Sequence, residues 1–547
     1  MFVCKNCGGN IIYDIKAKAL VCTVCKSSFA PESVTKENDS VDYDFFETTI
    51  FTCPQCGAQI MCEENEASSF CTYCSSSTVL TSRISKEKKP DYIIPFEKTK
   101  AECIDEFKKV SKRAVFAPSE LKDQKILDKF KAIYVPYWYY NVKQENGFTF
   151  TGVEKSSTAY SDTIYTAFYD ITGRIDAEYD GICRDASYNF SDDLCERIAP
   201  FFTSEKKKFY PSYLSGFYAD VTDVPAVVYE HEARDIANNL SKEVIRDTAA
   251  DEEFKRIQLV FSADEDTDKQ LNTVITAKRA LLPVWFMSFK SGKKVAYMTV
   301  NGQTGRAASD FPISKKKYIT ASLILAALFT VPFAFILSAF KQSSAFAFLD
   351  VALIISIVMY VYYFIDMKTM QIRDEDSEDA GKFHRKTGVV YIRKNKKENM
   401  EKTKRDIKGL FATWNLSEII PGIIYLIALL VSVFKFDLRI YDIAFKFILT
   451  FGNAVLAVMG FIRGGKIVNS AKYYGIFAGM ISLVIVAGIL LAAPQIAFLN
   501  MLAGACLIAG SFFTCMDLIN YHNELTTRQP PHLKRRGGDE IADSYNL

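Results

Sequence analysis

Eight of the chain's 14 cysteines fall into two sets of the same spacing, which is typical of a tetrahedral metal site. Each set has the form C-x2-C-x14-C-x2-C. Two residues between the cysteines of a pair let a tight turn aim both thiolates at one ion, and the intervening hairpin brings the second pair round. The sequence therefore predicts two structural Zn2+ sites without an open coordination position, whose ligands are Cys4, Cys7, Cys22, Cys25, Cys53, Cys56, Cys71 and Cys74.

The two sets are copies of one another, because Cys4 aligns with Cys53 and every later ligand follows at the same offset. Gly8 then aligns with Gly57, and each glycine directly follows a cysteine pair, where the turn often needs a positive φ. Units this small bury little apolar surface, so metal binding supplies much of their folding free energy. A disulfide or an iron–sulfur site is the alternative use of the same cysteines.

The charge around these cysteines argues against nucleic acid as the partner. Residues 1–80 contain five lysines and ten acidic residues, whereas phosphate binding requires a basic surface. Ribbons that contact proteins, or that are purely structural, fit this composition better.

Length and composition define the regions that must position the two sites. A chain of 547 residues is too long for one domain, and long apolar runs begin at Tyr318. The predicted regions are zinc ribbon 1 (1–30), zinc ribbon 2 (51–80), a soluble domain (90–310), a transmembrane hairpin (318–365), a basic cytoplasmic loop (366–416), transmembrane helices 3–6 (417–520) and a cytoplasmic tail (521–547).

The soluble domain mixes helical and strand patterns, which predicts an α+β fold with an antiparallel sheet. Apolar residues recur at helical spacing in Ala101–Arg113 and Pro225–Thr248. Residues with high strand propensity dominate Tyr134–Phe150, Thr163–Ile171, Arg256–Phe261, Leu281–Phe289 and Lys294–Val300. Thr172-Gly173 and Asn301-Gly302 have the composition of hairpin turns.

A second repeat lies within this domain, since Ala132–Gly152 resembles Ala280–Val300 and both stretches contain Pro-x-Trp. Two equivalent core strands with buried aromatic side chains are the favoured interpretation of Trp138 and Trp285. A duplicated aromatic groove for a peptide is the alternative.

The C-terminal part predicts an all-α region of six membrane-spanning helices, because about 20 apolar residues are needed to cross the hydrocarbon. The six runs are Tyr318–Phe340, Phe346–Ile365, Ile419–Val433, Ile443–Phe461, Tyr474–Ala492 and Ile496–Ile519. The first residues lack the pattern of a signal peptide, so we expect insertion through these internal runs.

The positions of lysine and arginine predict the orientation of a multi-pass cell-membrane protein whose N-terminus and C-terminus are both cytoplasmic. Basic residues precede the first run at Lys315–Lys317 and fill the 366–416 loop. Asp350 and Lys446 lie within predicted helices on the same side of the bilayer. They either pair with each other or extend separately to the interface.

The sequence lacks nucleotide-binding, metalloprotease, nucleophile-elbow and kinase motifs, which favours a protein that is not an enzyme. It carries no signal for an oligomeric state.

The order of motifs resembles a family of bacterial membrane proteins, of Firmicutes type, with tandem transcription factor IIB-type zinc ribbons. The ribbons are followed by KPDYIIPF (Lys89–Phe96), YVPYW (Tyr134–Trp138), LLPVW (Leu281–Trp285), NGQTG (Asn301–Gly305) and FPISKKK (Phe311–Lys317). The resemblance covers about residues 1–340 and maps the eight cysteines onto the family's zinc ligands. Members labelled PriA-like helicases do not guide the function here, because this chain has no nucleotide-binding loop.

Some relatives look linked to membrane-stress modules that contain phage-shock protein A-like and SPFH proteins. The resemblance therefore implies a docking platform at the membrane. We expect a cytoplasm-facing zinc-ribbon adaptor or scaffold that holds partner proteins at the lipid bilayer. The alternatives are a six-helix transporter or channel with a zinc-ribbon regulatory domain, and a nucleic-acid-linked membrane protein.

Overall fold

The computed structural model describes residues 2–34, 44–62, 71–75, 81–157, 164–187, 190–249, 257–260, 264–291, 294–324, 345–375, 439–467, 474–492, 496–526, 528–529 and 534–535. Ribbon 1 has a three-stranded sheet of its own, in the order β1-β2-β3. These strands are β1 (Ile11–Asp14), β2 (Ala19–Cys22) and β3 (Ser28–Phe29).

Fourteen further strands in the described residues form one large sheet. They are β4 (Phe45–Thr52), β5 (Gln59–Met61), β6 (Thr81–Lys88), β7 (Tyr92–Ile93), β8 (Lys131–Ser157), β9 (Ile164–Asp185), β10 (Lys207–Lys208), β11 (Tyr218–Asp220), β12 (Ile257–Val260), β13 (Thr273–Ser291), β14 (Lys294–Asn301), β15 (Ala307–Ser309), β16 (Arg528–Gln529) and β17 (Lys534–Arg535). The sheet's helices are α1 (Lys100–Arg113), α2 (Gln124–Leu127), α3 (Asp192–Ile198), α4 (Glu230–Ala249) and α5 (Asp264–Leu271).

The prediction of an antiparallel sheet was wrong in part, because the sheet is mixed. Strand β11 runs parallel to β8, and β7 runs parallel to β13, while the other pairs are antiparallel. The two strands of each parallel pair are separated by a long stretch of chain that contains other elements, and not by a hairpin, which permits the parallel direction. Strands β4 and β5, which flank the first cysteine pair of ribbon 2, belong to the same sheet.

The central strands β8 and β13 bury side chains on both faces. Tyr134 and Met287 lie in one hydrophobic cluster, whereas Val135 and Phe286 lie in a second cluster on the other side. Successive strand residues point to opposite faces, so continuous apolar runs such as AIYVPYWYY are needed where both faces are covered.

One of the two predicted hairpin turns was wrong. Thr172 and Gly173 lie within β9, opposite Thr149 and Phe148 of β8. The ring of Phe148 covers Gly173 so closely that a Cβ there would lie 2.6 Å from the ring. The glycine therefore accommodates a cross-strand aromatic ring. Asn301, in contrast, does begin a turn, which leads from β14 to β15.

The two Pro-x-Trp strands pair with each other around a local two-fold axis. Pro136 lies opposite Leu281, and Pro283 lies opposite Tyr134. The indole of Trp138 donates to the Val224 carbonyl, and that of Trp285 donates to the Lys98 carbonyl.

The flanking strands obey the same symmetry. Tyr92 of β7 lies opposite Ala280, and Tyr218 of β11 lies opposite Ile133. The domain is therefore a duplicated unit, and the prediction of equivalent core strands is confirmed. A peptide groove at Trp285 is excluded, because that residue is only 6% exposed.

Four long helices follow the sheet domain, after a helix α6 that is described over residues 315–324. They are α7 (Ala345–Glu375), α8 (Arg439–Ile467), α9 (Tyr474–Ala492) and α10 (Ala497–Leu525). Three of them contain stretches long and apolar enough to cross a membrane: Phe348–Met367, Gly475–Ala492 and Ala497–Asn523.

Three of the six predicted spans are thus present as apolar helices of sufficient length, and the residues that the structure describes do not support a count of six. The predicted span Ile443–Phe461 is helical, yet its apolar part, Lys446–Met459, is shorter than the prediction. The predicted span Tyr318–Phe340 is described only at its helical start, and Ile419–Val433 lies outside the described residues.

Within the predicted tail (521–547), α10 continues to Leu525, and residues 528–529 and 534–535 belong to the large sheet. Val295 of β14 pairs with Arg528 of β16. The side chain of Asn523 also holds the backbone of Ile313, accepting from its N–H and donating to its carbonyl. The sheet domain and the end of α10 therefore contact each other directly.

The alternatives for Asp350 and Lys446 are resolved in favour of pairing. The Lys446 ammonium lies 3.5 Å from an Asp350 carboxylate oxygen, with the lysine side chain 1% exposed and the aspartate side chain 10% exposed. The pair joins α7 to α8. About two helical turns further along each of these helices, Ser356 donates to the amide oxygen of Asn453.

Candidate metal centres

The cysteine turns of the two ribbons have the same backbone geometry. Gly8 and Gly57 have φ values of +71° and +74°, as the sequence predicted. Their N–H groups donate to the carbonyls of Cys4 and Cys53, each over 2.8 Å. Only a residue that tolerates positive φ closes this turn without strain, so the glycines bring each first pair of thiols together.

The second cysteine pair of each ribbon turns in the same way without a glycine. Lys26 and Ser75 occupy equivalent positions and have φ values of 62° and 55°. Their N–H groups donate to the carbonyls of Cys22 and Cys71. Each ribbon is thus built from two similar turns that face one another.

The four sulfur atoms of each ribbon come together at distances that fit a tetrahedral metal ion. All four lie within 4.8 Å of one another in both groups. Four of the Sγ–Sγ distances are 3.6 Å for Cys4–Cys25, 3.4 Å for Cys7–Cys22, 3.8 Å for Cys53–Cys74 and 3.7 Å for Cys56–Cys71. A Zn–S bond of about 2.3 Å gives sulfur atoms about 3.8 Å apart in a regular tetrahedron. Both groups can hold a metal ion, and none of the eight cysteines forms a disulfide.

Ribbon 2 is buried inside the large sheet. All four of its cysteines are buried, and its strand β5 pairs with β11. Tyr73, between the last two cysteines, is 0% exposed and packs 5.9 Å from Phe190 and 5.3 Å from Phe286, measured between ring centroids. The hydroxyl of Ser288 on β13 donates to the Thr72 carbonyl. This metal group therefore belongs to the core of the domain.

Ribbon 1 instead docks on the surface of the domain through one side. Tyr13 packs 5.5 Å from Tyr213 and 6.1 Å from Phe217, and its N–H donates to the Ser215 carbonyl. The Ser212 hydroxyl donates to the Pro31 carbonyl over 2.6 Å. These contacts fix the orientation of ribbon 1 while the opposite side stays open to solvent.

The open side of ribbon 1 is the end that carries the metal group. Cys7 and Cys25 are exposed, whereas Cys4 and Cys22 are buried. Val24, between the last two cysteines, is 70% exposed, and Val3 is 56% exposed. We call the surface formed by residues 3–9 and 23–28 the ribbon 1 tip.

The environment of Cys25 favours its thiolate form, which is the form that binds metal. Ser27 contributes a hydroxyl group 3.1 Å from the sulfur, and a hydrogen bond with its backbone adds to the effect. Together they lower the pKa of the Cys25 thiol to about 6.

Cysteine spacing alone predicted the two groups of four cysteines but not the difference in burial between the two ribbons. The difference depends on which neighbours cover each copy, and those neighbours lie far away in sequence, at Phe190, Phe286 and Ser288. A local signal does exist, because a large aromatic residue stands at position 73 where the first copy has a valine.

Comparison with known proteins yields one informative relative. The chain is 30% identical over 319 residues to the uncharacterized protein YdjG of Bacillus subtilis (strain 168), and the match covers 58% of this chain and 91% of the relative. No protein-family model matches the chain. No solved structure matches it.

Proposed function

The chain belongs to the family of Bacillus subtilis YdjG, and we propose that it is a membrane-anchored, cytoplasm-facing zinc-ribbon adaptor that docks partner proteins at the membrane. The observation that carries this proposal is the unequal burial of the two cysteine groups. Ribbon 2 has its four cysteines buried, whereas ribbon 1 leaves Cys7 and Cys25 exposed at a rigidly docked tip. A structural site needs no exposed face, so the open tip of ribbon 1 is the candidate docking surface.

The tip has a definite chemical character. It presents two exposed valines beside Lys5 and Lys26, and residues 3–9 and 23–28 contain no acidic side chain. An exposed apolar contact flanked by cations fits a partner segment that combines apolar and acidic residues. The resemblance to the tandem-ribbon family points to phage-shock protein A-like or SPFH proteins of a membrane-stress response as the partners to try first.

We propose Zn2+ as the ion at both sites, because four thiolates in a closed tetrahedral arrangement suit zinc. An iron centre is the competing identity, and metal analysis of the purified full chain separates the two. Two zinc ions per chain support the proposal, whereas iron in place of zinc contradicts it.

The proposed location is the cell membrane, with the sheet domain and the C-terminus both on the cytoplasmic side. The pairing of Val295 with Arg528 supports this topology, because it requires both segments to lie on the same side of the bilayer. An even number of crossings between them is then needed. Three apolar helices alone give an odd number, and α6 and α8 raise it to five, so the proposal also includes the predicted span Ile419–Val433 as a sixth crossing.

The test of the adaptor function uses cysteine substitutions in one ribbon at a time. C7S/C25S removes two ligands of ribbon 1 and leaves the sheet core intact, so we expect loss of co-purifying partners with normal membrane insertion. C56S/C71S is the comparison variant, and we expect it to unfold the sheet domain. Partners that remain bound to C7S/C25S would place the docking site elsewhere.

A second candidate function is a transporter with a zinc-ribbon regulatory domain, which the buried Asp350–Lys446 pair favours. Ionised groups inside a helix bundle often mark a pathway for ions or protons. Solute or ion flux into liposomes that contain the full chain is the deciding measurement, and D350N must abolish that flux if the pair lies on the pathway. A nucleic-acid-linked role and the absence of enzymatic activity stay predictions from the sequence.

A further inference from the structure

We propose that the cations at the end of α1 and the start of α6 form a binding site for the phosphate group of an anionic lipid. These side chains are here called the junction cations: Lys108, Lys112, Arg113, Lys122 and Lys316. The inference rests on the proposed membrane insertion of α6 and on no feature of the ribbon 1 tip.

The loop after α1 is attached directly to the start of α6. The N–H of Ser314 donates to the Phe116 carbonyl over 2.8 Å, and the ammonium of Lys317 donates to the Ala117 carbonyl over 2.7 Å. The rings of Phe116 and Tyr318 pack edge to face at 5.4 Å. These three contacts hold the end of α1 at the level where the chain enters the apolar helix.

Helix α10 also holds the start of α6 and the residues just before it. The hydroxyl of Tyr318 lies 2.8 Å from the sulfur of Cys515, and Asn523 bonds with both backbone groups of Ile313. Segment 311–318 is therefore held between the sheet domain and the helix bundle. The end of α1 cannot move away from the bilayer surface without breaking these contacts.

The junction cations are free to bind an anion. Lys112, Arg113, Lys122 and Lys316 are exposed, and Lys108 is half-buried. Among the described residues, no carboxylate lies within ion-pair distance of any of the five.

Acidic residues do occur on α1, but they lie towards its beginning. Glu106 pairs with Lys109 at 2.7 Å, and Glu102 lies 3.9 Å from Lys98. Among the described residues, the cations of the last turn therefore have no ion-pair partner, whereas Glu102 and Glu106 nearer the beginning of the helix each have a lysine nearby.

Three of the junction cations share one groove. Lys108, Lys112 and Lys122 line an open groove of about 640 Å³ together with Ser111. The same groove is also lined by Lys98, Lys109 and Thr304 and by three carboxylates, those of Glu102, Asp105 and Glu106, so lysines outnumber acidic residues in its lining. Ammonium groups that converge on one concave surface bind phosphate, and near a membrane each cation adds attraction for anionic lipid.

An exposed apolar residue stands beside the cations, as expected at a bilayer surface. Val115 directly follows the last turn of α1 and is 68% exposed. Its neighbour Phe116 packs on Tyr318, so Val115 lies close to the point where α6 begins. Apolar side chains next to lysines are typical of surfaces that rest in the headgroup region.

The test measures lipid binding to the full chain, purified in detergent, by native mass spectrometry with added phosphatidylglycerol or phosphatidylcholine. We expect the wild type to bind phosphatidylglycerol more tightly. K108Q/K112Q/R113Q/K122Q should lose this preference, since each cation removed weakens binding by about fivefold. The matched control K155Q/K207Q/K208Q/K269Q removes four cations from β8, β10 and α5 and should retain it.

The outcomes separate a lipid site from other roles of these residues. Equal phosphatidylglycerol binding by the wild type and the quadruple variant overturns the proposal and leaves the cations as partners of the negative end of α1. If the test and control variants lose the preference for phosphatidylglycerol equally, the proposal is also overturned, because equal losses indicate a general effect of charge. Inorganic phosphate that competes fully with phosphatidylglycerol at millimolar concentration identifies a free-phosphate site and overturns the lipid assignment. If the quadruple variant does not fold, K112Q/K122Q, which changes two exposed residues, gives the same decision.

Discussion

Val24 and Tyr73 occupy the same position in the two ribbons, yet Val24 is 70% exposed and Tyr73 is 0% exposed. Both residues lie between the last two cysteines, in turns whose backbone hydrogen bonds are equivalent. The two copies are therefore similar four-cysteine units with different surroundings. The second copy became part of the core, and the first kept a free tip.

This difference predicts opposite effects for substitutions at the two positions. Y73A removes a fully buried ring that packs against Phe190 and Phe286. We expect it to lower the free energy of unfolding of the sheet domain by about 3 kcal/mol or more. V24A should change this free energy by about 0.5 kcal/mol or less. Urea denaturation of the full chain in detergent measures both, and a large effect of V24A would show that the tip is not free.

The local two-fold axis predicts parallel effects for the two tryptophans. W138F and W285F each remove an indole N–H that donates to a carbonyl, of Val224 and Lys98 respectively. We expect each to cost about 1–3 kcal/mol in the same urea experiment, with the larger effect at Trp285 because it is more buried. If W285F left the free energy of unfolding unchanged, a core role for β13 would be contradicted.

The buried charge pair predicts that single substitutions harm stability more than a double one. D350N leaves the ammonium of Lys446 buried without its counter-ion, which costs about 3 kcal/mol or more. D350L/K446L removes both charges and should recover most of this loss. Thermal unfolding of the helix bundle in detergent ranks the stabilities of the wild type, D350N and D350L/K446L. A double variant less stable than D350N would show that the charges do more than balance each other.

Some of the architecture followed directly from local patterns. The grouping of the eight cysteines, the glycine turns and helix α1 depend on short stretches of sequence, so the spacing of cysteines and of apolar residues was enough to predict them. The start of α1 is also set locally, since Thr99 accepts from the N–H of Glu102 while its own N–H donates to the Glu102 carboxylate, which is a complete capping box.

Other features depend on long-range contacts that a local pattern does not contain. Gly173 appeared to mark a turn because glycine favours turns, but in the fold it makes room for the ring of Phe148. The parallel placement of β7 and β11, and the burial of ribbon 2, are set by residues at least 85 positions away in the sequence, as Ile133 is from Tyr218. The repeated Pro-x-Trp motif indicated the duplication in the sequence. The two-fold axis itself became evident only from the pairing of β8 with β13.

The strand pairing at the C-terminus predicts a specific cross-link. Val295 and Arg528 are paired residues on neighbouring antiparallel strands, so V295C/R528C should form a disulfide when isolated membranes are oxidised. V274C/R528C is the control, because Val274 lies on β13 opposite Lys143 of β8. Mass spectrometry of the cleaved chain detects the link. No link in the test pair, or equal links in both, would contradict placement of the two segments on one side of the membrane.

The central claim is that the ribbon 1 tip docks a partner protein, and one measurement tests it most directly. The test variant is full-length V24D, which spares every proposed metal ligand, and the control is V274D, at another exposed valine (56%). Both variants and the wild type are affinity-purified from native membranes, and the co-purifying proteins are quantified by mass spectrometry. The adaptor function predicts that V24D loses the co-purifying proteins while V274D retains them, with two metal ions bound per chain in all three. The same set of partners at wild-type abundance in V24D would contradict docking at the tip.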